Sequence, residues 1–222
     1  RTPSLVLYLS RALSKRLRTR QRGGEFAETT ILAIYGAAKG VGRTSFAVTL
    51  SATLTRETGQ GVVLVDCSGG AEEGGWLDRS ALPAASPYET GLSTTAGLPP
   101  LEMVAHPLGF SVLSTRQLFW LPVGEQTIAP LLSSLANQFH YILVDLPVEV
   151  TPPVLKALTQ SDLIYLITDA QSEHLISTNA LLHQLHSAAT PLEQRMKVIL
   201  NMVDGAPAPG QLAEVSQQLG HP

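Results

Sequence analysis

The chain has one cysteine, few charged residues and no long apolar run, and these shortages exclude several classes of protein. Cys67 is the only cysteine among 222 residues, which excludes an intramolecular disulfide, and the six histidines lack the spacing of a zinc site. No stretch approaches the roughly 20 consecutive apolar residues of a membrane-spanning helix, and no apolar run of the secretory type follows the first charges. We therefore expect a protein of the reducing cytoplasm.

Hydrophobic residues make up 44% of the chain and charged residues 15%, which favours a compact domain over a disordered or highly charged one. The charge is uneven, because seven of the fifteen basic residues precede Glu25. Residues 26–222 hold the other eight together with seventeen acidic residues, a formal charge of −9. Because a body of that sign binds nucleic acid poorly, we expect no sequence-specific nucleic-acid partner.

The sequence divides into three parts. Residues 1–22 are basic and carry leucines at helical spacing, which predicts an amphipathic helix belonging to an upstream domain, and the polar residues 23–29 predict a linker. Residues 30–222 form the main domain. Since the chain starts at an arginine and stops where another strand could begin, we interpret it as a piece of a longer protein, with this domain open to truncation at its C-terminal end.

Strand and helix patterns alternate from residue 30 onward. Apolar and β-branched runs predict strands at 30–36, 61–66, 109–115, 140–147, 162–169 and 195–203. Helical spacing predicts helices at 44–59, 124–138, 151–160, 172–186 and 210–220. The Gly-, Ser-, Ala- and Pro-rich stretch 67–100 predicts a long, weakly structured segment. The alternation predicts a three-layer α/β fold, a mostly parallel sheet with helices on both faces.

Residues 35–45, YGAAKGVGRTS, place a glycine-rich turn between the first strand and the first helix. Such a turn brings backbone N–H groups together at a helix N-terminus, which suits a phosphate. The phosphate-loop pattern G-x-x-x-x-G-K-[ST] fits in part, because Ala37 stands at its first glycine and Arg43 at its lysine. A glycine turn that only packs the strand against the helix is the alternative.

Two aspartates end apolar strands: Asp66 in VVLVD and Asp145 in YILVD. A parallel sheet gathers its ligands at that edge, so both aspartates are expected to face the loop. Together with the Thr44 hydroxyl, they would hold a hydrated magnesium ion beside the β- and γ-phosphates. Either aspartate alone fits an ordinary strand end or helix cap, but the joint pattern predicts the site.

Residues 30–219 resemble the deviant phosphate-loop ATPases of the MinD/ParA/CobQ superfamily. The family loop K-G-G-V-G-K-T-T is similar to AKGVGRTS at 38–45, and its D-x-D motif is similar to Asp66-Cys67-Ser68. The DLP sequence at 145–147 and the run TPPVLKALTQSDLIYLITDA at 151–170 look most like the pilus-assembly branch, CpaE/TadZ, whose phosphate loops are often degenerate.

This resemblance implies an ATP- or ADP-binding domain that uses Mg²⁺ and forms a nucleotide-dependent homodimer. It assigns the phosphates to Lys39, Gly40, Val41, Gly42, Arg43, Thr44 and Ser45. It assigns magnesium to Thr44, Asp66 and Asp145, a catalytic role to Asp66, and adenine to Asn201. The expected output is conformational and serves the positioning or assembly of other proteins.

Three departures from the family pattern predict weak or absent hydrolysis. Arg43 keeps the charge of the loop lysine, but its planar fork is bulkier than an ammonium between phosphates. Ala38 stands where the family has the signature lysine that reaches across the dimer, and Lys39 comes one place late. Ser68 replaces the second aspartate of D-x-D, which leaves Asp66 without that carboxylate partner. At best the chain is a slow ATPase.

Two other functions remain open at this point. A pseudo-ATPase scaffold would keep the fold and lose the ligand. Alternatively, the chain is the central regulatory domain of a multidomain enzyme, since residues 1–22 resemble the last helix of a CRP-type cyclic-nucleotide-binding domain, with a patatin-like phospholipase domain downstream. The same basic amphipathic helix could also contact an anionic membrane surface.

Overall fold

The computed structural model describes residues 29–68, 86–88, 101–115, 124–187, 192–201, 215–217 and 219. The predicted N-terminal helix at 1–22 and the linker, apart from Thr29, lie outside the described residues. The predicted last helix at 210–220 is described only at 215–217 and 219, and these residues are helical. No helix in these ranges is long and apolar enough to cross a bilayer.

Eight strands and four α-helices are described. The strands are β1 (Thr30–Tyr35), β2 (Val62–Asp66), β3 (Ser86–Tyr88), β4 (Leu101–Ala105), β5 (Ser111–Ser114), β6 (Tyr141–Asp145), β7 (Leu163–Thr168) and β8 (Met196–Leu200). The helices are α1 (Arg43–Thr58), α2 (Gly124–Ala136), α3 (Pro152–Gln160) and α4 (Ser172–Ser187), and a 3₁₀ turn at Glu193–Arg195 precedes β8.

All eight strands form one sheet in the order β3-β4-β5-β2-β6-β1-β7-β8. The pairs within β5-β2-β6-β1-β7-β8 are all parallel. The central strands β1, β2 and β6 are buried along almost their whole length, as the continuous apolar runs predict. The predicted α/β fold with a mostly parallel sheet is confirmed.

One edge of the sheet differs from the sequence prediction. β4 lies antiparallel to β5, and β3 lies antiparallel to β4, although neither strand was predicted. The β4–β5 turn is short: His106 N–H donates to the Phe110 carbonyl, and Gly109 adopts a left-handed φ of 92°. In β4, Leu101 and Val104 are buried, Met103 is half-buried, and Glu102 and Ala105 are exposed, unlike the continuous buried runs of β2 and β6.

Helices cover both faces of the sheet, and each face has its own apolar core. α1 packs Phe46, Leu50 and Leu54 on the face that carries Leu64 and Leu143. The opposite face joins Val63, Val65, Ile142 and Val144 to side chains of the other helices, including Leu131, Leu158 and Leu182. Since strand side chains alternate between faces, Asp66 and Asp145 follow Leu64 and Leu143 onto the α1 face.

A matched pair of isoleucines tests this core. Ile142 on β6 is fully buried, whereas Ile176 on α4 is 70% exposed. We expect Ile142→Ala to lower the free energy of unfolding by about 2–5 kcal/mol, because it leaves a cavity between sheet and helices. Ile176→Ala should change it by less than about 0.5 kcal/mol. Urea unfolding followed by circular dichroism measures both, and equal losses would contradict the placement of β6 at the centre.

Candidate functional site

The glycine-rich loop between β1 and α1 lies at the carboxyl edge of the sheet. Gly40 and Gly42 have φ values of 80° and 86°, and Gly42 is the N-cap of α1. An L side chain rarely adopts this left-handed conformation, so glycine is needed at both positions. The two glycines let the chain turn from the end of a central strand directly into the first turn of α1.

The loop presents unpaired donors at the positive end of a helix. In the ranges that the structure describes, the backbone N–H groups of residues 39–45 donate no hydrogen bond, and the first is the 2.9 Å bond from Phe46 N–H to the Gly42 carbonyl. Unpaired N–H groups at a helix N-terminus attract anions. Gly40 has open space around it, since a Cβ added there would meet nothing within 4 Å. The loop therefore has room and donors for a phosphate.

Asp66 and Asp145 come together as predicted. They are register partners at the carboxyl ends of neighbouring strands, and their residues are 3% and 0% exposed. The Thr44 hydroxyl, in the first turn of α1, donates to Asp145 Oδ2 at 2.7 Å. The structure thus brings all three predicted magnesium residues to one place below the loop.

Ser68 joins the same group, which the sequence reading did not anticipate. Its Oγ lies 3.0 Å from Asp66 Oδ1 and 3.1 Å from Asp145 Oδ2, and its backbone N–H also donates to Asp66 Oδ1 at 3.1 Å. Asp66 therefore has a side-chain partner at residue 68, namely the Ser68 hydroxyl. The available signal was the position of Ser68, two residues past a strand-end aspartate, where the chain turns.

Burial dominates the electrostatics of Asp145. Desolvation raises its pKa from 3.8 to about 6, against the opposing effects of the Thr44 hydrogen bond and the Arg43 charge. Its Oδ1 atom is buried and has no hydrogen-bond partner among the described residues. A buried carboxylate oxygen without a partner is expensive, and a cation bound beside it would remove that cost.

These residues fit a magnesium ion held together with a nucleotide. Hydroxyl and carboxylate oxygens are the ligands that Mg²⁺ prefers, and this ion usually takes one or two carboxylates and completes its shell with water and phosphate oxygens. The described part of the chain contains no group of three or more His, Cys, Asp or Glu side chains suited to a metal, so a protein-only metal cage is not found there. The free donors of the loop complement the phosphates of such a ligand.

Arg43 binds protein rather than facing solvent. Its Nη1 donates to the Leu146 carbonyl at 2.6 Å, directly after Asp145. Burial lowers the pKa of Arg43, while the charges of Asp145, Tyr35 and Glu149 raise it. A Cβ added at Gly36 would lie 2.6 Å from the Ile167 carbonyl and 3.0 Å from Arg43 Cδ, so the glycine makes space for this side chain.

Asn201 fastens the loop to the end of β8. Its backbone N–H donates to the Thr168 carbonyl at 2.7 Å, and its side-chain Nδ2 donates to the Val41 carbonyl at 2.9 Å. A Cβ added at Gly42 would collide with that same Nδ2 atom. These hydrogen bonds show that Asn201 holds the loop. Its contact with adenine stays a prediction.

The other predicted phosphate residues lie in the loop with different exposures. Lys39 is exposed, whereas Val41 is 2% exposed and packs in the apolar core between α1 and the sheet. Ser45 is half-buried in the first turn of α1, where its carbonyl accepts a hydrogen bond from the Thr49 hydroxyl at 2.7 Å. Val41 thus anchors the loop through its side chain and has only its backbone to offer a ligand.

Comparison with solved structures places the fold. A ParA family ATPase from Chlorobium tepidum TLS superposes with a TM-score of 0.68 at 19% identity, over 89% of this chain and 82% of that chain. The septum site-determining protein MinD of Pyrococcus horikoshii OT3, complexed with Mg-ADP, gives 0.60 at 18% identity, over 87% and 79%. This is the fold of the ParA/MinD phosphate-loop ATPases.

The structural similarity extends to a synthase. Cobyrinic acid a,c-diamide synthase from Mycobacterium smegmatis, with bound ADP and magnesium, gives a TM-score of 0.55 at 17% identity, over 77% of this chain and 72% of that chain. No protein-family model and no curated protein matches the chain. At such identities the comparison establishes the shared architecture.

The left-handed glycine at the start of α1, Gly42, can be tested against a matched one at the end of α1, Gly59. Gly42→Ala forces a side chain into the left-handed region, at about 1–2 kcal/mol, and also pushes it against Asn201. Gly59→Ala imposes the same backbone strain at φ 66° but meets nothing within 4 Å. We expect Gly42→Ala to lower the urea midpoint more than Gly59→Ala. Equal midpoints would contradict the close approach of Asn201 to Gly42.

The buried charge of Asp145 predicts a pH-dependent stability in metal-free buffer with EDTA. Because its pKa is higher folded than unfolded, the folded state is favoured below about pH 4 and loses stability as the pH rises through about 6. Asp145→Asn avoids this loss, so we expect it to be more stable than wild type by up to about 3 kcal/mol at pH 8.

The same two proteins at pH 4 are the internal control for that experiment. There both side chains are neutral and the difference in the free energy of unfolding should nearly vanish. Urea unfolding at a series of pH values measures it. An Asp145→Asn protein that is less stable than wild type at every pH would show that the carboxylate is stabilised, not strained, in its site.

Proposed function

We propose that the chain is an ATP- or ADP-binding regulatory or positioning domain of the MinD/ParA/CobQ superfamily, nearest its CpaE/TadZ-like branch, with weak or absent ATP hydrolysis. One observation carries the proposal: a loop of unpaired N–H groups opens beside the hydrogen bond from Thr44 to the buried Asp145, whose Oδ1 atom has no partner in the described residues. An anion site and a cation site side by side suit a nucleotide with its magnesium ion.

Each residue has a place in this proposal. The loop from Lys39 to Ser45 would hold the phosphates through its N–H groups, and Thr44, Asp66 and Asp145 would hold magnesium. When bound, the ion neutralises phosphate charge. Asn201, fixed beside the loop, is the residue that we assign to adenine. In the relatives, Mg-ADP is bound by MinD of P. horikoshii, which supports this choice of ligand.

Weak hydrolysis follows from what the loop cations do. Arg43 donates one of its hydrogen bonds to the Leu146 carbonyl, and Lys39 is exposed. Ala38 stands where the family has its signature lysine. Loss of one donor to the transition state costs about 10²–10³-fold in rate, so two losses leave a switch that scarcely turns over. Asp66 remains the candidate catalytic residue, in hydrogen-bond contact with Ser68.

The proposed output is a nucleotide-dependent homodimer that acts on protein partners or flanking domains. A MinC:MinD complex from Aquifex aeolicus is among the similar structures, which supports a fold able to present a partner surface. The predicted helix at 1–22 would add peripheral membrane contact or the link to an upstream domain.

A second function, a pseudo-ATPase scaffold, is favoured by one observation. The Arg43 guanidinium already has a short hydrogen bond to backbone, and this bond holds the loop without any ligand. In that case the fold would connect neighbouring modules and the loop would be structural. The central domain of a multidomain enzyme, the third alternative, is compatible with both the nucleotide-binding function and the scaffold function.

Isothermal titration with ADP and ATP, with and without Mg²⁺, tests the two functions. We expect wild type to bind, and Arg43→Ala to bind about 10–100-fold more weakly because a charge-assisted contact to phosphate is lost. Arg43→Lys should bind at least as well as wild type, since a compact ammonium fits between phosphates without the planar fork.

Arg56→Ala is the matched control, because this arginine lies exposed in the last turn of the same helix. It should bind nucleotide like wild type. Absence of heat at millimolar nucleotide in wild type and in Arg43→Lys would reject the binding function and leave the scaffold. Sedimentation velocity with and without Mg-ATP then tests the dimer, and sedimentation that ignores the nucleotide would reject the switch.

A further inference from the structure

Four oxygen atoms meet below the loop, and we call them the oxygen cluster: Thr44 Oγ1, Asp66 Oδ1, Ser68 Oγ and Asp145 Oδ2. Three contacts join them, at 2.7 Å from Thr44 to Asp145, 3.0 Å from Ser68 to Asp66, and 3.1 Å from Ser68 to Asp145. Ser68 is the member that touches both carboxylates. It lies just beyond β2 and reaches the end of β6.

The hydroxyl of Ser68 has a single hydrogen for its two carboxylate contacts. If both aspartates are ionised, that hydrogen is shared, or one contact brings two oxygen lone pairs together without a hydrogen between them. A cation held by the two carboxylates offsets this cost, because the ion attracts the oxygen lone pairs that otherwise face each other. The independent sign of a missing ligand is Asp145 Oδ1, which is fully buried and has no partner in the described part of the chain.

We propose that Ser68 is a positioning residue of the divalent-cation site, whose hydroxyl sets Asp66 and Asp145 at the spacing that the ion requires. The inference rests on the proposed function, which places magnesium at these aspartates. It assigns a use to the residue that stands in place of the second aspartate of D-x-D. With a neutral hydroxyl at this position, the cluster contains two carboxylates, which match the charge of one divalent ion.

The choice of side chain follows from the contacts. Ser68 Oγ contacts both carboxylates and donates its one hydrogen to them, and a threonine hydroxyl at this position can make the same contacts, whereas alanine makes none. A group that orients metal-binding carboxylates typically changes metal affinity about 10–100-fold when it is removed. Its loss should therefore appear in metal binding rather than in the affinity for metal-free nucleotide.

The test measures Mn²⁺ binding to the nucleotide-free 222-residue chain by electron paramagnetic resonance, and ADP binding by calorimetry in Mg²⁺ or in EDTA. We expect Ser68→Ala to weaken Mn²⁺ binding by about tenfold or more and to reduce the gain in ADP affinity that Mg²⁺ gives. ADP affinity in EDTA should be unchanged, and Ser68→Thr should restore Mn²⁺ binding. Ser177→Ala removes a hydroxyl from the exposed side of α4 and is the control.

The outcomes separate this inference from the proposed function. If wild type and Ser68→Ala bind Mn²⁺ equally, and Mg²⁺ raises their ADP affinity equally, the role of Ser68 is overturned and nucleotide binding stands. Absence of ADP binding in wild type, with Mn²⁺ bound more weakly by Ser68→Ala, rejects the nucleotide function and supports the cation site. Equal weakening by Ser68→Ala and Ser68→Thr overturns the inference, because the hydroxyl would then not be what matters.

Discussion

The parallel pairing of β2 with β6 is the constraint on which the site depends. Their register sets Asp66 opposite Asp145, and strand alternation sends both side chains to the face covered by α1. Two carboxylates are thereby buried side by side, and burial, together with the charge of Asp66, opposes ionisation of Asp145. The Thr44 and Ser68 hydroxyls offset part of that cost, but Asp145 keeps a pKa near 6. The strand pairing stabilises the fold and at the same time creates a demand for positive charge at its carboxyl edge.

The loop is held at this edge by contacts from two sides. Arg43 reaches the carbonyl that follows Asp145, and Asn201 reaches the carbonyl of Val41 from the far strand β8. Val41 itself packs under α1. As a result the apex near Gly40 remains open while both flanks are fixed, and the N–H groups keep their orientation without using their hydrogens on protein. Such preorganisation lowers the entropic cost of ordering the loop when a phosphate binds.

The sequence predicted most of the central sheet because its strands are continuous apolar runs between turn signals, and α1 because Gly42 and Gly59 mark its two ends. The strands β3 and β4 were missed since they lie within or beside a stretch rich in Gly, Ser and Pro, and β4 is partly exposed rather than a continuous buried run. For the site, strand-end aspartates and loop glycines were readable from spacing. The contacts of Ser68 and of Arg43 were not, because they join residues 77 and 103 positions apart through the sheet.

Under the proposed function, the charges around the loop act differently on nucleotide binding and on hydrolysis. The loop retains two bases, as the family pattern does, but Lys39 is exposed and Arg43 is engaged with a backbone carbonyl. Positive charge near the phosphates raises affinity in any orientation, since Coulomb attraction falls only gradually with distance. Stabilising a transition state requires a hydrogen-bond donor at one defined position. A cationic side chain that lies away from that position therefore lowers the reaction rate far more than it lowers the affinity. Under the proposed function, a chain that keeps these charges but changes their placement is therefore expected to bind a nucleotide and to cleave it slowly.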